Sequence, residues 1–211
     1  MKVSPSKENI LKKIRTALTH KTPLPFPKSE ANQLVFQPSK QELEVEFAEQ
    51  FNKLLGRFVF CVNRQELAFQ LNSLIRKQGW QKTYCVEPVI LQMIGMELEE
   101  NLTVDDLANC DVGITGCEYL VARTGSIVMS SSKLSGRNTS VYSPVHICVA
   151  FTNQLVYDIK DALQLMKKKH GEKLPSLITF ATGPSRTADI EKTLVVGVHG
   201  PKEVYCFLVD E

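Results

Sequence analysis

The chain has 211 residues, with 25 basic and 23 acidic side chains and a formal net charge of +2. This length suits one domain with an N-terminal extension, and the 43% hydrophobic share is sufficient for a substantial core. The near balance of charge argues against nucleic acid or an anionic membrane as the main partner. No apolar run approaches the roughly 20 residues that cross a bilayer, and Met1–Asn9 lacks the apolar core of a signal peptide, so we expect a cytoplasmic protein.

The first 38 residues have the pattern of a helix followed by an extended linker. The helix is predicted over residues 4–19, and three closely spaced prolines then favour an extended chain. Its apolar stripe consists of Ile10, Leu11, Ile14 and Leu18. We therefore divide the chain into an arm, residues 1–38, and an α/β domain, residues 39–211. The arm either folds back on its own domain or packs on another subunit, and the second alternative would give a homo-oligomer.

In the first half of the domain, apolar runs alternate between the helix and strand patterns. A Ser-x-x-Glu capping box over Ser39–Glu42 predicts the start of a helix, which Gly56 ends. Asn63 caps the next predicted helix, and Gly79 ends it. Buried strands are predicted at residues 58–62, 83–86 and 112–115. This alternation indicates βαβ units, and hence a mainly parallel sheet flanked by helices.

The second half of the domain has shorter strands joined by turns, which predicts a small antiparallel part beside the parallel sheet. A helix is predicted through Ile159, Leu163 and Met166, and it ends in a basic last turn, where positive charge complements the helix dipole. The predicted strands are residues 119–122, 126–129, 145–151, 194–198 and 204–209.

The stretch from Thr182 to Pro201 holds the side chains that best suit an anion. Gly183 permits a left-handed turn, and Arg186 has a planar guanidinium that matches a carboxylate or a phosphate. Ser185 and Thr187 add two hydroxyls. Such a loop can hold an anion through its N–H groups, hydroxyls and guanidinium, and it can equally cap a helix. The residues by themselves leave both interpretations open.

Three residues are candidates for proton transfer. His199 lies between Val198 and Gly200 just past a predicted strand, and strand ends in open α/β sheets carry ligand sites. A structural histidine is the alternative interpretation. Asp189 could orient His199 or the nearby guanidinium, and Glu118 is a further candidate acid or base.

Two further loops offer groups that could contact a ligand. The backbone at Thr124 and Gly125 could approach a ligand closely, although an ordinary tight turn explains the same residues. Arg137 belongs to a polar loop that matches neither the Walker pattern nor the dinucleotide fingerprint. His146 opens an apolar strand, so we expect a buried histidine with a hydrogen-bond partner.

The six cysteines contain no Cys-x-x-Cys pair, so the sequence supports neither a zinc ribbon nor a common iron–sulfur arrangement. Four of them lie in apolar runs and are predicted to be core residues, with free thiols, of a protein in a reducing compartment. Cys117, which follows Gly116 in a predicted turn, is the best candidate for a reactive thiol. The chain also has no flavin or nicotinamide fingerprint, so no cofactor is predicted.

Together these segments resemble the LUD domain family. The resemblance rests on residues 182–191 and 197–201, with support from residues 122–126 and 143–147. It implies the α/β fold shared with sugar-phosphate isomerases and CoA transferases. It also implies a role beside two partner proteins, one of them rich in iron–sulfur clusters, in oxidising L-lactate to pyruvate. The family usually has an acidic residue where Arg123 stands here, and that change would favour an anion.

Three hypotheses follow. In the first, the chain is a non-redox component of a lactate-oxidising system that binds a small carboxylate or a phosphorylated cofactor and docks on iron–sulfur lactate-utilization proteins. In the second, it is a stand-alone isomerase or an acyl- or CoA-transfer enzyme acting on a phosphorylated substrate. In the third, it is a regulatory or structural module whose C-terminal motif stabilises one conformation.

Overall fold

A computed structural model gives the structure of the chain and describes residues 5–19, 39, 41–94, 102–103, 106–135, 138–187 and 195–210. The chain divides into two units, Met1–Gln37 and Pro38–Glu211. The first unit contains helix α1, Pro5–Thr19. In the described part of the chain, no helix is both long enough and apolar enough to cross a membrane.

The second unit combines short helices with a large parallel sheet. Its described helices are α2 Leu43–Lys53, α3 Arg64–Gln78, α4 Pro88–Ile94, α5 Thr139–Tyr142 and α6 Ile159–His170. Its described strands are β1 Arg57–Cys61, β2 Thr83–Tyr84, β3 Leu102–Thr103, β4 Val112–Thr115, β5 Tyr119–Val121, β6 Ser126–Ser130, β7 Val145–Phe151, β8 Leu155–Val156, β9 Ile178–Ala181, β10 Arg186–Thr187, β11 Val195–Val196 and β12 Glu203–Val209.

Six described strands form the main sheet, in the order β1-β12-β7-β4-β2-β3. Every neighbouring pair in it is parallel. The longest pairing joins β12 to β7, from Glu203 opposite Val145 to Val209 opposite Phe151. The prediction of a mainly parallel sheet flanked by helices is therefore confirmed.

The two faces of this sheet are covered by different elements. On β7, Ile147 and Val149 point into a core that includes side chains of α3 and α4, while Cys148 and Ala150 point the opposite way. This alternation follows from the two-residue period of a strand. The second core also takes Phe47 and Phe51 of α2 and residues of the smaller sheet. The parallel strands are thus buried on both faces, as their continuous apolar runs predict.

The smaller sheet has the strand order β8-β5-β6-β9, in which β5, β6 and β9 pair antiparallel. Its outer face packs on α6 through Val121, Val128 and Ala162. This sheet confirms the predicted antiparallel part. The strand predicted at residues 194–198 is present but shorter, as β11 over Val195–Val196, and it pairs with β10 in a separate two-stranded sheet.

The helix ends test the capping predictions. Asn63 accepts a hydrogen bond from the backbone N–H of Glu66, and Gly79 is left-handed, so both of these predictions are confirmed. The capping box at Ser39–Glu42 is wrong, because α2 begins at Leu43 without a side-chain cap. The left-handed residue after α2 is Leu55 rather than Gly56. Gly56 is needed for space, because a Cβ atom there would lie 2.5 Å from the ring of Phe51.

Candidate functional site

The C-terminal motif folds so that its two halves meet. The backbone N–H of Ser185 donates to the carbonyl of Pro201 at 3.0 Å, and the N–H of Gly197 donates to the carbonyl of Ser185 at 2.9 Å. A Cβ atom on Gly200 would lie 2.9 Å from the Cβ of Ser185. The structure therefore brings the Ser185 turn next to the glycine-flanked His199, and the half-buried Thr187 lies just beyond in β10.

His199 lines a cavity of about 470 Å³, which we call the amino-edge cavity. Its walls are residues 141–144, which precede β7, and residues 197–200 with Lys202, which precede β12. His199 and Lys202 are exposed there. His199 lies past a strand, as expected, but that strand is β11 of the two-stranded sheet, and His199 precedes β12 at the amino ends of the parallel strands.

Arg186 reaches a different part of the molecule from His199. Its Nη2 donates to the carbonyl oxygen of Leu54 at 2.6 Å, at the C-terminal end of α2. A guanidinium is favourable at this position because the carbonyl end of a helix carries partial negative charge. Gly183 is left-handed, with φ of 78°, and a Cβ atom there would lie 2.4 Å from the same oxygen. Both residues therefore hold the turn against α2.

The turn at Thr124 and Gly125 also contacts α2. Gly125 has φ of 60°, and a Cβ atom on it would lie 2.6 Å from the backbone nitrogen of Phe51. The hydroxyls of Thr124 and Ser126 lie 2.7 Å apart, and Ser126 is 2.9 Å from the hydroxyl of Thr182. A chain of hydroxyls thus connects this turn to the start of the C-terminal motif.

Glu118 is buried, and every contact it makes favours the ionised form. Its carboxylate accepts hydrogen bonds from Ser130 at 2.6 Å, Ser132 at 3.2 Å and the Nζ of Lys169 at 2.7 Å. Burial by itself raises the pKa of Glu118, but the bonds from Lys169 and Ser130, with the charges of Lys169 and Lys133, lower it below the usual value. An ionised, fully bonded carboxylate suits structural work or charge stabilisation better than it suits an acid.

The remaining predicted residues divide into two groups. Arg137 and Asp189 lie outside the described residues. Arg123 is paired with Asp158 at 2.6 Å, so its charge is compensated within the fold. The pKa of Asp158 lies below its usual value: burial raises it, and the Lys160 N–H and Arg123 outweigh that effect.

The buried residues include one confirmed prediction and one that the structure does not favour. His146 is 1% exposed, and its Nε2 lies 2.8 Å from the hydroxyl of Thr115, which confirms the expectation of a partnered core histidine. Cys117 is 1% exposed, and its pKa is raised well above the usual value by hydrogen bonding to Cys148 and by burial. Such a thiol is a poor nucleophile.

Sequence reasoning missed a second group of polar residues, at the carboxyl ends of the parallel strands. Glu87 follows β2 and is 8% exposed, and its Oε1 accepts hydrogen bonds from the N–H of Gly116 and the hydroxyl of Ser135. Lys133, from the serine-rich loop after β6, has its Nζ 3.8 Å from Glu87 Oε2. The one local signal was an acidic residue directly after a buried strand.

Comparison with known proteins gives the family of the chain. A family model described as the LUD domain matches residues 93–209, more than half of the chain. The chain belongs to the LUD domain family. The matched LUD segment runs from the end of α4 to the end of β12, and so it includes the residues of the amino-edge cavity and the C-terminal motif.

The relatives of this LUD domain include curated bacterial proteins named Lactate utilization protein C. The one from Bacillus licheniformis is 36% identical over 115 residues, and the one from Bacillus subtilis is 38% identical over 115 residues. Each alignment covers 54% of this chain and 47% of the relative, so the chain spans about half the length of these relatives. Among solved structures, a DUF162 family protein from Deinococcus radiodurans superposes with a TM-score of 0.56 at 20% identity. That match covers 79% of this chain and 98% of the other, and it supports the fold.

Proposed function

We propose that this chain is a component of an L-lactate utilization system, in which it binds a small anion and acts beside iron–sulfur partner proteins. The observation that carries the proposal is the 36–38% identity to relatives named Lactate utilization protein C, through the LUD domain. The chain spans about half of those relatives, so the pathway remains a proposal that rests on this likeness. The ligand part of the proposal rests on the geometry below.

The amino-edge cavity supports the binding of a small anion. The imidazole of His199 and the ammonium of Lys202 both line it and can donate to a carboxylate. Ser185 packs against Gly200 and fixes the backbone beside the imidazole. We assign ligand contact to His199 and Lys202, with the Ser185 turn as their support. Asp189 and Arg137, predicted beside them, stay predictions.

The ligand part of the proposal is tested by calorimetry with pyruvate and inorganic phosphate. His199→Ala and Lys202→Ala should each weaken binding by about tenfold or more, with little change in melting temperature because both side chains are exposed. Lys173→Ala is the matched control, since Lys173 is an exposed lysine in the turn after α6. Equal affinities in all three variants would remove the cavity from the proposal.

The pathway part is tested in the native cell. Deleting the gene should abolish growth on L-lactate as the carbon source while growth on glucose continues. The tagged chain, purified from lactate-grown cells, should carry iron with it at a defined stoichiometry. Normal growth of the deletion strain on lactate would contradict the pathway, and an iron-free isolate would contradict the partnership.

A further inference from the structure

A second cavity lies at the opposite edge of the main sheet. It has a volume of about 290 Å³ and is bordered by the loop after β2, the end of β4, the end of β7 and the serine-rich loop after β6. We call it the carboxyl-edge cavity. In open α/β sheets, ligands bind in the crevice outside the carboxyl ends of the strands. Its position therefore favours a ligand more than the position of the amino-edge cavity does.

The carboxyl-edge cavity contains a separated pair of opposite charges. Glu87 Oε1 is fixed by two hydrogen bonds, from Gly116 and Ser135, whereas its Oε2 faces the Nζ of Lys133 at 3.8 Å. That distance is too long for a hydrogen bond. A buried carboxylate and an ammonium held apart in this way can each bind a third group placed between them.

Gly116 keeps the space between these two charges open. A Cβ atom at position 116 would lie 2.9 Å from Glu87 Oε2 and 3.6 Å from Lys133 Nζ. Any side chain here would therefore fill the gap where a ligand would contact both charges. The absence of a side chain at the end of β4 is thus what gives a small molecule access to the pair.

Apolar side chains also line this cavity. Val89 and Leu134 line it and are 62% and 71% exposed, and Phe151, at the end of β7, lines it as well. Large apolar side chains at the mouth of a cavity that also contains a charged pair are suited to a ligand with a short hydrocarbon group.

We propose that the carboxyl-edge cavity binds a small carboxylate that carries a hydrogen-bond donor on its α carbon. The carboxylate pairs with Lys133, the α-hydroxyl or α-ammonium donates to Glu87 Oε2, and the hydrocarbon group packs on Val89 and Leu134. The shared chemistry is that of 2-hydroxy acids and amino acids. This site is distinct from the amino-edge cavity, and its argument rests on the cavity alone.

The test measures binding of L-lactate, L-alanine and propionate by calorimetry. Lactate or alanine should bind about tenfold or more tightly than propionate, because propionate has no donor for Glu87. Comparing lactate with alanine tells which donor, hydroxyl or ammonium, the site takes. Equal affinity for propionate, or no binding of any of the three at millimolar concentration, would overturn the proposal.

Site variants separate this cavity from the amino-edge cavity. Lys133→Met keeps the length of the side chain and should weaken binding by about tenfold or more, and Glu87→Gln should remove the preference for the α donor. Lys173→Ala, which removes an exposed lysine outside both cavities, should leave this binding unchanged. Loss of lactate or alanine binding in Lys202→Ala with none in Lys133→Met would refute the assignment to the carboxyl-edge cavity. Growth of the deletion strain on lactate tests the proposed pathway separately, so the two failures are distinguishable.

Discussion

The buried histidine in β7 makes the stability of the protein dependent on pH in a calculable way. His146 is 1% exposed and its Nε2 lies 2.8 Å from the hydroxyl of Thr115. Burial lowers the pKa of His146 from 6.5 to about 4. In the unfolded chain the imidazole therefore takes a proton near pH 6.5, whereas in the folded chain it stays neutral until about pH 4.

The sign and the size of the effect follow from this difference. Between the two pKa values of His146 the unfolded state binds more protons, so the free energy of unfolding falls as the pH falls. At about 1.4 kcal/mol for each pH unit, acidification from about pH 7.5 to pH 5 should cost about 2 kcal/mol. The loss should level off below about pH 4, near 3 kcal/mol in all.

The assay is urea unfolding of the wild type and of His146→Gln at both pH values. The variant has its own constant loss of stability, so the quantity to compare is the change between the two pH values. The wild type should lose about 2 kcal/mol more than the variant over this interval. His199→Gln, which replaces an exposed imidazole, is the control and should behave as the wild type does. Equal losses in wild type and His146→Gln would refute the reasoning.

Three further substitutions test the contacts described above, each measured by denaturant unfolding. Gly183→Ala places a Cβ atom 2.4 Å from the oxygen of Leu54 and should lower the free energy of unfolding more than Gly171→Ala does. At Gly171 φ is also positive, but no atom lies within 4 Å of the added Cβ. Equal losses of stability in the two variants would contradict the contact with Leu54. Asn63→Ala should lower the free energy of unfolding by about 1 kcal/mol because the helix cap is lost, whereas Asn63→Asp, which can accept the same hydrogen bond, should retain most of the stability. Glu118→Gln should cost about 1.5–3 kcal/mol at neutral pH. Because the pKa of Glu118 in the folded chain lies below its ordinary value of 4.5, the stability that Glu118 contributes is present above that pH and is lost as the pH falls, so the stability of the variant should depend less on acid.

The parts of the fold that were predictable from sequence depend on local interactions. The cap at Asn63, the left-handed Gly79 and the basic last turn of α6 each involve residues within a few positions of one another. The apolar runs of β4 and β7 likewise reveal strands that are buried on both faces. These features were predictable because the tertiary structure keeps the helix caps, the turn and the buried strands that the local sequence pattern favours.

The errors come from long-range pairing. The apolar run before His199 has the composition of a strand, but β12 occupies the place between β1 and β7, and the run pairs with β10 instead. The sequence pattern therefore does not show that His199 lies at the amino ends of the parallel strands. Glu87 and Lys133 were missed for a related reason: Glu87 follows β2 of the main sheet and Lys133 follows β6 of the smaller sheet, and only the tertiary structure brings these distant loops together.

The glycines of the candidate site illustrate a further limit. Gly125 and Gly183 both suit close approach of another group to the backbone, and from sequence that group could be a ligand or a part of the protein. The structure shows α2 against both of them, through Phe51 and Leu54. A glycine in such a turn indicates that another group contacts the backbone closely, and only the tertiary structure shows whether that group is a ligand or part of the protein.

The burial of every cysteine gives the protein a set of internal reporters. All six thiols are free and buried. Burial raises the pKa of Cys61 and Cys85 to about 11, so little reactive thiolate exists while the fold is closed. Alkylation followed by peptide mass spectrometry would then time the opening of each region separately, from Cys61 beside α3 to Cys206 in the middle of the sheet. The six native cysteines can therefore report the rate of local unfolding in different regions of the protein, without any added label.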